Sequence, residues 1–439
     1  MLGVQKPRLH LVTMQSTQQA DNTPNTQLEY AHDLADFISA SPSSYHAARQ
    51  IACRLDKAGF SQQMEDEEWS ATPGGHYLVR GGAVMAWRVP EGAGPHNAFA
   101  IVGSHTDSPS FKVKPSPNSV HSGFAQINVE TYGGLLYNSW LNRELGLAGR
   151  IVTVDGEEHL VTTGAIMVIP QLAPHLDRAA NKELKLNPQT HLHPLWALGE
   201  KDLFEFLAER AEVPADEIAG MDLFAYDTQP PQIISDEFFA SGRQDNLVSV
   251  HASLTAFLAA EPTEVAVFSA FDHEEIGSST TTGACGPILE TTLKRTALAL
   301  GATQEQYFQM LARSSCVSAD AGHSINPNYP EYHDPDQHPV MGNGPMLKIN
   351  ANQRYATDAH GQALWLRAAF AAGLSTQEFV SNNAVSCGTT IGPLTATRLG
   401  IETVDVGVPL LSMHSARELS SIRDDWELAE ILKGYWSVA

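Results

Sequence analysis

Five segments carry residues able to do acid–base or metal chemistry. His105 stands two residues before Asp107 in SerHisThrAsp, and Asp245 precedes a helix-like run in SerGlyArgGlnAspAsnLeu. Asp272, His273, Glu274 and Glu275 are consecutive, Asp320 lies in SerAlaAspAlaGlyHis, and His414 lies in SerMetHisSerAlaArgGlu. An Asp beside a His can fix one imidazole tautomer while the other ring nitrogen binds metal. A carboxylate held at a helix start can cap the helix or bridge two ions. Adjacent glutamates repel unless a cation or a raised pKa relieves them, which suits one as ligand and its neighbour as proton carrier. Singly, these features have ordinary explanations: a surface His–Asp pair, a helix cap, an exposed acidic loop. Jointly, two imidazoles and three carboxylates fit two ions sharing one carboxylate. Donors without thiolate suit Zn²⁺, Mn²⁺ or Co²⁺ in a catalytic site. Two such ions ~3.5–4 Å apart can activate water and polarise a carbonyl.

The elements that must position these residues are legible from apolar patterning. Residues 98–104, 264–271, 315–319 and 403–408 read as buried strands, and each leads into one of the polar segments. In open α/β sheets, ligand sites form beyond the C-terminal strand ends. Leu28, Ala31, Leu34, Phe37 and Ile38 recur at near-helical spacing, and SerProSerSer at 41–44 starts a second helix. Residues 246–259 read as a helix, and 417–436 as a final amphipathic helix with Asp424, Asp425 and Glu427 on its polar side. Between 110 and 234 the texture changes to short strands and turns, with an Asp155-Gly156 hairpin signal. The expected architecture is an α/β catalytic domain from residues 27–109 and 235–439, interrupted by a β-rich insert at 110–234. Residues 1–26 read as a loose tail.

The chain has 439 residues, long enough for more than one domain. Its 27 Lys and Arg against 50 Asp and Glu leave a net charge of -23, which disfavours nucleic acid and anionic membrane surfaces as partners. No apolar run approaches a membrane span, and no secretory signal is read at the N-terminus, where Lys6, Arg8 and His10 interrupt the apolar residues. Four cysteines without a CxxC pair read as reduced thiols, which points to the cytoplasm.

The motifs around His105, Asp245, Glu274-Glu275, Asp320 and His414 resemble those of the M18 metalloaminopeptidases, the aspartyl aminopeptidases. So do LysIleAsnAlaAsnGlnArgTyrAlaThr at 348–357 and the segment around Pro174-His175-Leu176. The resemblance runs in order from about residue 28 to 437. It implies a dizinc-exopeptidase fold with the insert as a dimerisation domain. It also implies that His105 and Asp320 bind one zinc, that Glu275 and His414 bind the other, and that Asp245 bridges them. Glu274 would then be the general base and Asp107 would orient His105. Substrate would be bound by Glu274, Asp320, His323, Lys348 and Tyr355, and by His175 reaching into a neighbouring subunit to help stabilise the oxyanion. Peptides with N-terminal Asp or Glu would be preferred, with Lys348 as the local cation, although most lysines are solvated at the surface. The assembly would be a homo-oligomer, a dodecamer built of dimers. The family's usual Leu before the bridging Asp is Gln244 here, a change in local packing beside a ligand.

Three other readings use the same residues: an aminopeptidase of broader or neutral specificity, a carboxypeptidase or deacylase with two-metal chemistry, and a noncatalytic assembly or cargo protein. The last predicts damaged metal motifs, yet every ligand type and Glu274 are present.

Overall fold

The computed structural model describes residues 23–439. Helix Thr23–Ser39 buries Ala31, Leu34, Phe37 and Ile38, the stripe expected from their spacing. It also takes in residues 23–26, which were expected in the tail; the rest of that expectation lies outside the described residues. Helix Ser44–Lys57 follows, with Ser43 as its cap.

Among the described residues the main sheet has nine strands. At its centre Val265–Phe271, Phe99–His105, Ser315–Ala319 and Glu402–Gly407 run parallel, side by side in that order. Their near-continuous apolar composition is what burial on both faces requires. Register aligns Phe271 with His105 and Ala319 with Val406, so the four C-terminal ends lie together at one edge. Gly407 serves the close approach there, since a Cβ would sit 1.7 Å from the Asp320 carbonyl oxygen.

A second sheet of six strands, all antiparallel to their neighbours, is drawn entirely from Ser110–His121 through Ile218–Asp227. The Asp155-Gly156 turn joins Leu145–Thr153 to Glu158–Thr162. Phe111, Ile127, Leu145, Leu147 and Leu223 form a core of its own. A three-stranded sheet (Gln232–Ile234, Phe238–Ser241, Glu418–Ser421) ties the segment just before Asp245 to the one just after His414.

The C-terminus differs from expectation. Residues 418–421 are strand, and the helix is Ile422–Val438. Asp424, Asp425 and Glu427 are buried rather than on a polar face. Asp424 accepts the N–H groups of Gly342 and Gly344, Asp425 accepts the Ser420 hydroxyl, and Glu427 pairs with Arg423. The helix packs against Gln244–Ala259 and Ala359–Ala371 as well as the sheet, so even its acidic side is enclosed.

His46, in the second helix, is part-buried with Nδ1 2.8 Å from the Ser43 hydroxyl. Burial, then Arg243, pushes its imidazole down to about 4, against ~6.5 unfolded. As pH falls the unfolded chain takes up this proton first, so stability is complete above ~6.5 and drains away toward the folded value. From this group the wild type should lose about 2 kcal/mol between pH 7 and pH 5. Urea melts at the two pH values should show that increment missing from His46→Gln.

Candidate metal centre

The strand ends deliver the donors. His105 closes its strand with only 1 % of its surface exposed. Glu274 and Glu275 form a single turn just past Phe271, and Asp320 follows Ala319. Asp245 comes from the start of helix Gln244–Ala259, where its backbone is not yet helical, and its side chain does not cap that helix. His414 sits in a turn with φ of 64°.

Two triads converge, His105, Asp245 and Asp320, and Asp245, Glu275 and His414, while a third set, His105, Glu274 and Glu275, links them; donor atoms in each lie within 4.8 Å of one another. Asp245 belongs to both triads. Its Oδ1 lies 3.4 Å from His105 Nε2, and its Oδ2 lies 3.3 Å from His414 Nε2. His105 Nε2 is 3.6 Å from Asp320 Oδ1, and His414 Nε2 is 3.6 Å from Glu275 Oε2. Glu274 Oε2 stands 3.9 Å from His105 Nε2, beside both triads. Asp245 Oδ1 and Glu275 Oε1 are buried without a hydrogen-bond donor, an arrangement that a cation would satisfy.

Electrostatics agree. Burial, then Asp245 and Glu274, push Glu275 well above its ordinary range against the pull of His414 and His105. Burial opposes the His414 cation, but Asp245 and Glu275 outweigh it and raise that group to about 10. Carboxylates crowded in this way call for positive charge, which divalent ions would supply.

The supporting contacts are mostly invisible in the sequence. Asp107 does face His105, with Oδ1 3.3 Å from Nδ1, and its carbonyl oxygen is 3.1 Å from the same nitrogen. It also accepts the N–H groups of Glu274 (3.0 Å) and Glu275 (3.1 Å) and the hydroxyl of Tyr132 (2.8 Å). In sequence, the TyrGlyGly run at 132–134 reads only as a turn. Gly133, at φ of 73°, lets the chain pass Glu275, where a Cβ would sit 3.1 Å from the glutamate's own. The Gly134 carbonyl lies 3.1 Å from His414 Nδ1. Asn246 brackets Asp320 by donating to the Ala319 carbonyl and accepting from the Ala321 N–H. Glu418, inside the motif that carries His414, contacts the backbone on both sides of the centre. Gln244 is fully buried, and its amide donates to the carbonyls of Phe239, Ser241 and Glu418. A leucine could not supply those donors.

The other predicted residues fall in two places. Lys348 is 2 % exposed, not solvated; its Nζ donates to the Ala321 carbonyl at 2.7 Å and lies 5.4 Å from the Tyr355 ring centre. His323 and Tyr355, with Phe379, Cys387 and Leu410, line a cavity of about 300 Å³. Desolvation, then Lys348, holds the His323 imidazole below its ordinary value, while Asp245 pulls the other way. His175 is exposed on the loop between Glu158–Thr162 and Leu195–Leu198 and is not among the converging donors.

A family described as "Aminopeptidase I zinc metalloprotease (M18)" matches residues 37–436. The chain belongs to the M18 family of zinc aminopeptidases. Its fold is the aminopeptidase fold of that family, and its activity is that of a metalloaminopeptidase acting on peptides. A "Probable M18 family aminopeptidase 2" of Streptomyces avermitilis is 49% identical over 419 residues, covering 92% of this chain and 97% of the relative. The protein of that name from Mycobacterium leprae is 39% identical over 421 residues, covering 93% and 98%. Among solved structures, the Ape4 and Nbr1 complex superposes with a TM-score of 0.90 at 31% identity, covering 95% of this chain and 87% of that one. The S. cerevisiae mApe1 dodecamer superposes at 0.81 and 28%, covering 94% and 97%. No described helix is long and apolar enough to cross a membrane.

Proposed function

We propose that this M18 enzyme removes N-terminal residues, with preference for Asp and Glu, using two divalent ions per subunit. The carrying observation is that Asp245 is shared by the two triads, one oxygen toward each. His105 and Asp320 would hold one ion, Glu275 and His414 the other, with Asp245 between them. Zn²⁺ is the metal in the family's description, and Co²⁺ or Mn²⁺ suits the same donors. Bound ions supply Lewis acidity that polarises the scissile carbonyl and lowers the pKa of water. Glu274 takes the proton from the attacking water and returns it to the leaving amine. Asp107 holds the imidazole of His105 and the backbone of both glutamates. Near the carboxylates of Glu274 and Asp320 a free α-amino group finds its counter-charge, which limits cleavage to the first residue. Lys348, with His323 and Tyr355 beside it, receives the acidic side chain.

The insert, residues 110–234, serves dimerisation, and His175 completes the site of a neighbouring subunit. Exposed Leu172, Leu176 and Leu198 in the insert support an apolar contact there. A homo-oligomer, a dodecamer like that of the mApe1 neighbour, follows from this reading. Sedimentation should find activity only in the large species; an active monomer would defeat the trans role of His175. The free thiols Cys53, Cys285, Cys316 and Cys387 favour the cytoplasm.

The deciding experiment strips the metal and assays peptides with N-terminal Asp, Glu, Leu and Lys before and after Zn²⁺, Mn²⁺ or Co²⁺. Release of the first residue, restored by metal and fastest for Asp or Glu, is expected. Metal-dependent release fastest for Leu would leave a neutral aminopeptidase. Two bound ions without hydrolysis would leave the noncatalytic reading.

A further inference from the structure

We infer that Glu418 is a positioning residue that grips the Glu275–His414 half of the centre, with one carboxylate setting the backbone of two ligands. This rests on the two-metal reading above. Glu418 is 2 % exposed. Its Oε2 accepts the Asp245 N–H at 3.1 Å, and its Oε1 accepts the His414 N–H at 2.8 Å. His414 is only 4 positions away, but Asp245 is 173 away, so only the tertiary fold brings it to the same carboxylate. The strand holding Glu418 pairs with Phe238–Ser241, directly opposite Ser241. Gln244, next to Asp245, ties the Glu418 carbonyl at 2.8 Å.

A buried carboxylate is costly, and no Lys or Arg ion pair of the described residues includes this one. Its compensation is the two N–H donors and, under the two-metal reading, the ions one residue further on. His414 also has the left-handed backbone (φ 64°) that a side-chain-bearing residue rarely adopts, and the Oε1 contact holds its N–H in place. The device mirrors Asp107, whose two oxygens take the N–H groups of Glu274 and Glu275. The centre therefore sits between two carboxylate clamps. Both oxygens of Glu418 face backbone N–H groups, so it acts through Asp245 and His414.

Two variants separate shape from charge. In Glu418→Gln one of the two acceptors becomes a donor that faces an N–H. In Glu418→Asp the charge stays, but the side chain is one methylene too short to span both. Full-length zinc-loaded wild type and variants are dialysed against graded chelator, and metal per chain is counted. Cobalt-substituted spectra, with His414→Ala and His105→Ala as references, show which triad has emptied. Both variants should release the Glu275–His414 ion at ~10–100-fold weaker chelator strength, the range seen for lost outer contacts. The His105–Asp320 ion, whose triad contains only Asp245 of the two gripped ligands, should loosen less. Retention of both ions as in wild type, or equal loosening of both, overturns the inference. Should Glu418→Gln fail to fold, Glu418→Asp distinguishes the same outcomes. A wild type that binds fewer than two ions would instead bring down the two-metal reading, and this inference with it.

Discussion

Glu274→Gln should lower kcat/KM by ~10²–10⁴-fold, the usual cost of losing a general base. It should do so with two ions still bound per chain. The amide keeps the shape of Glu274 but cannot accept the proton of the attacking water. With protein charges alone, burial and the carboxylates of Asp320, Asp245 and Asp107 push Glu274 up to about 8, against the pull of His105. The ions proposed beside it would pull that value down, leaving Glu274 ionised and able to accept the proton of the attacking water. Glu275, one residue on, has Oε2 against His414 and belongs to a triad shared with Asp245. The two neighbours should therefore separate cleanly: Glu275→Gln loses metal, Glu274→Gln loses rate. A Glu274→Gln enzyme with near-normal turnover, or one that has shed an ion, would remove Glu274 from the base role.

Lys348→Met should cost peptides with N-terminal Asp or Glu ~10²-fold more in kcat/KM than those with Leu, the scale of truncating one partner of a buried charge pair. The lysine is buried, yet one carbonyl, that of Ala321, is its hydrogen-bond acceptor. An ammonium has three donors, so a substrate carboxylate can use the others. Replacing the buried ammonium by an apolar side chain of similar length removes its desolvation cost but leaves the Ala321 carbonyl without this donor. The variant should thus stay folded, as a thermal melt will show, while losing selectivity. Equal losses on acidic and neutral substrates would show that Lys348 supports the fold rather than the preference.

Much of the site was legible because its signals are local. An apolar run that ends in His105, in Asp272–Glu275 or in Asp320 declares both a buried strand and what stands at its end. Parallel pairing then places those ends at one edge, since strands buried on both faces have only their termini open to ligand. The family motifs around His105, Asp245, Glu274, Asp320 and His414 lie within short stretches of sequence for the same reason.

Packing decided the rest. Asp424, Asp425 and Glu427 look like a solvated helix face because periodicity registers polarity and not what packs outside it; helices and loops distant in sequence enclose them. Lys348 reads as a surface lysine by residue type and is buried by its strand. Tyr132, Gly134, Asn246 and Glu418 carry no metal-binding signature, because they act at one remove: on the Asp107 carboxylate, the His414 ring, the backbone on either side of Asp320, and the N–H groups of Asp245 and His414. By itself the sequence determined which residues could bind metal and that strand ends would present them. The tertiary structure alone decided which backbone groups hold the candidate ligands still and which charges are buried, because each depends on how separate segments pack together.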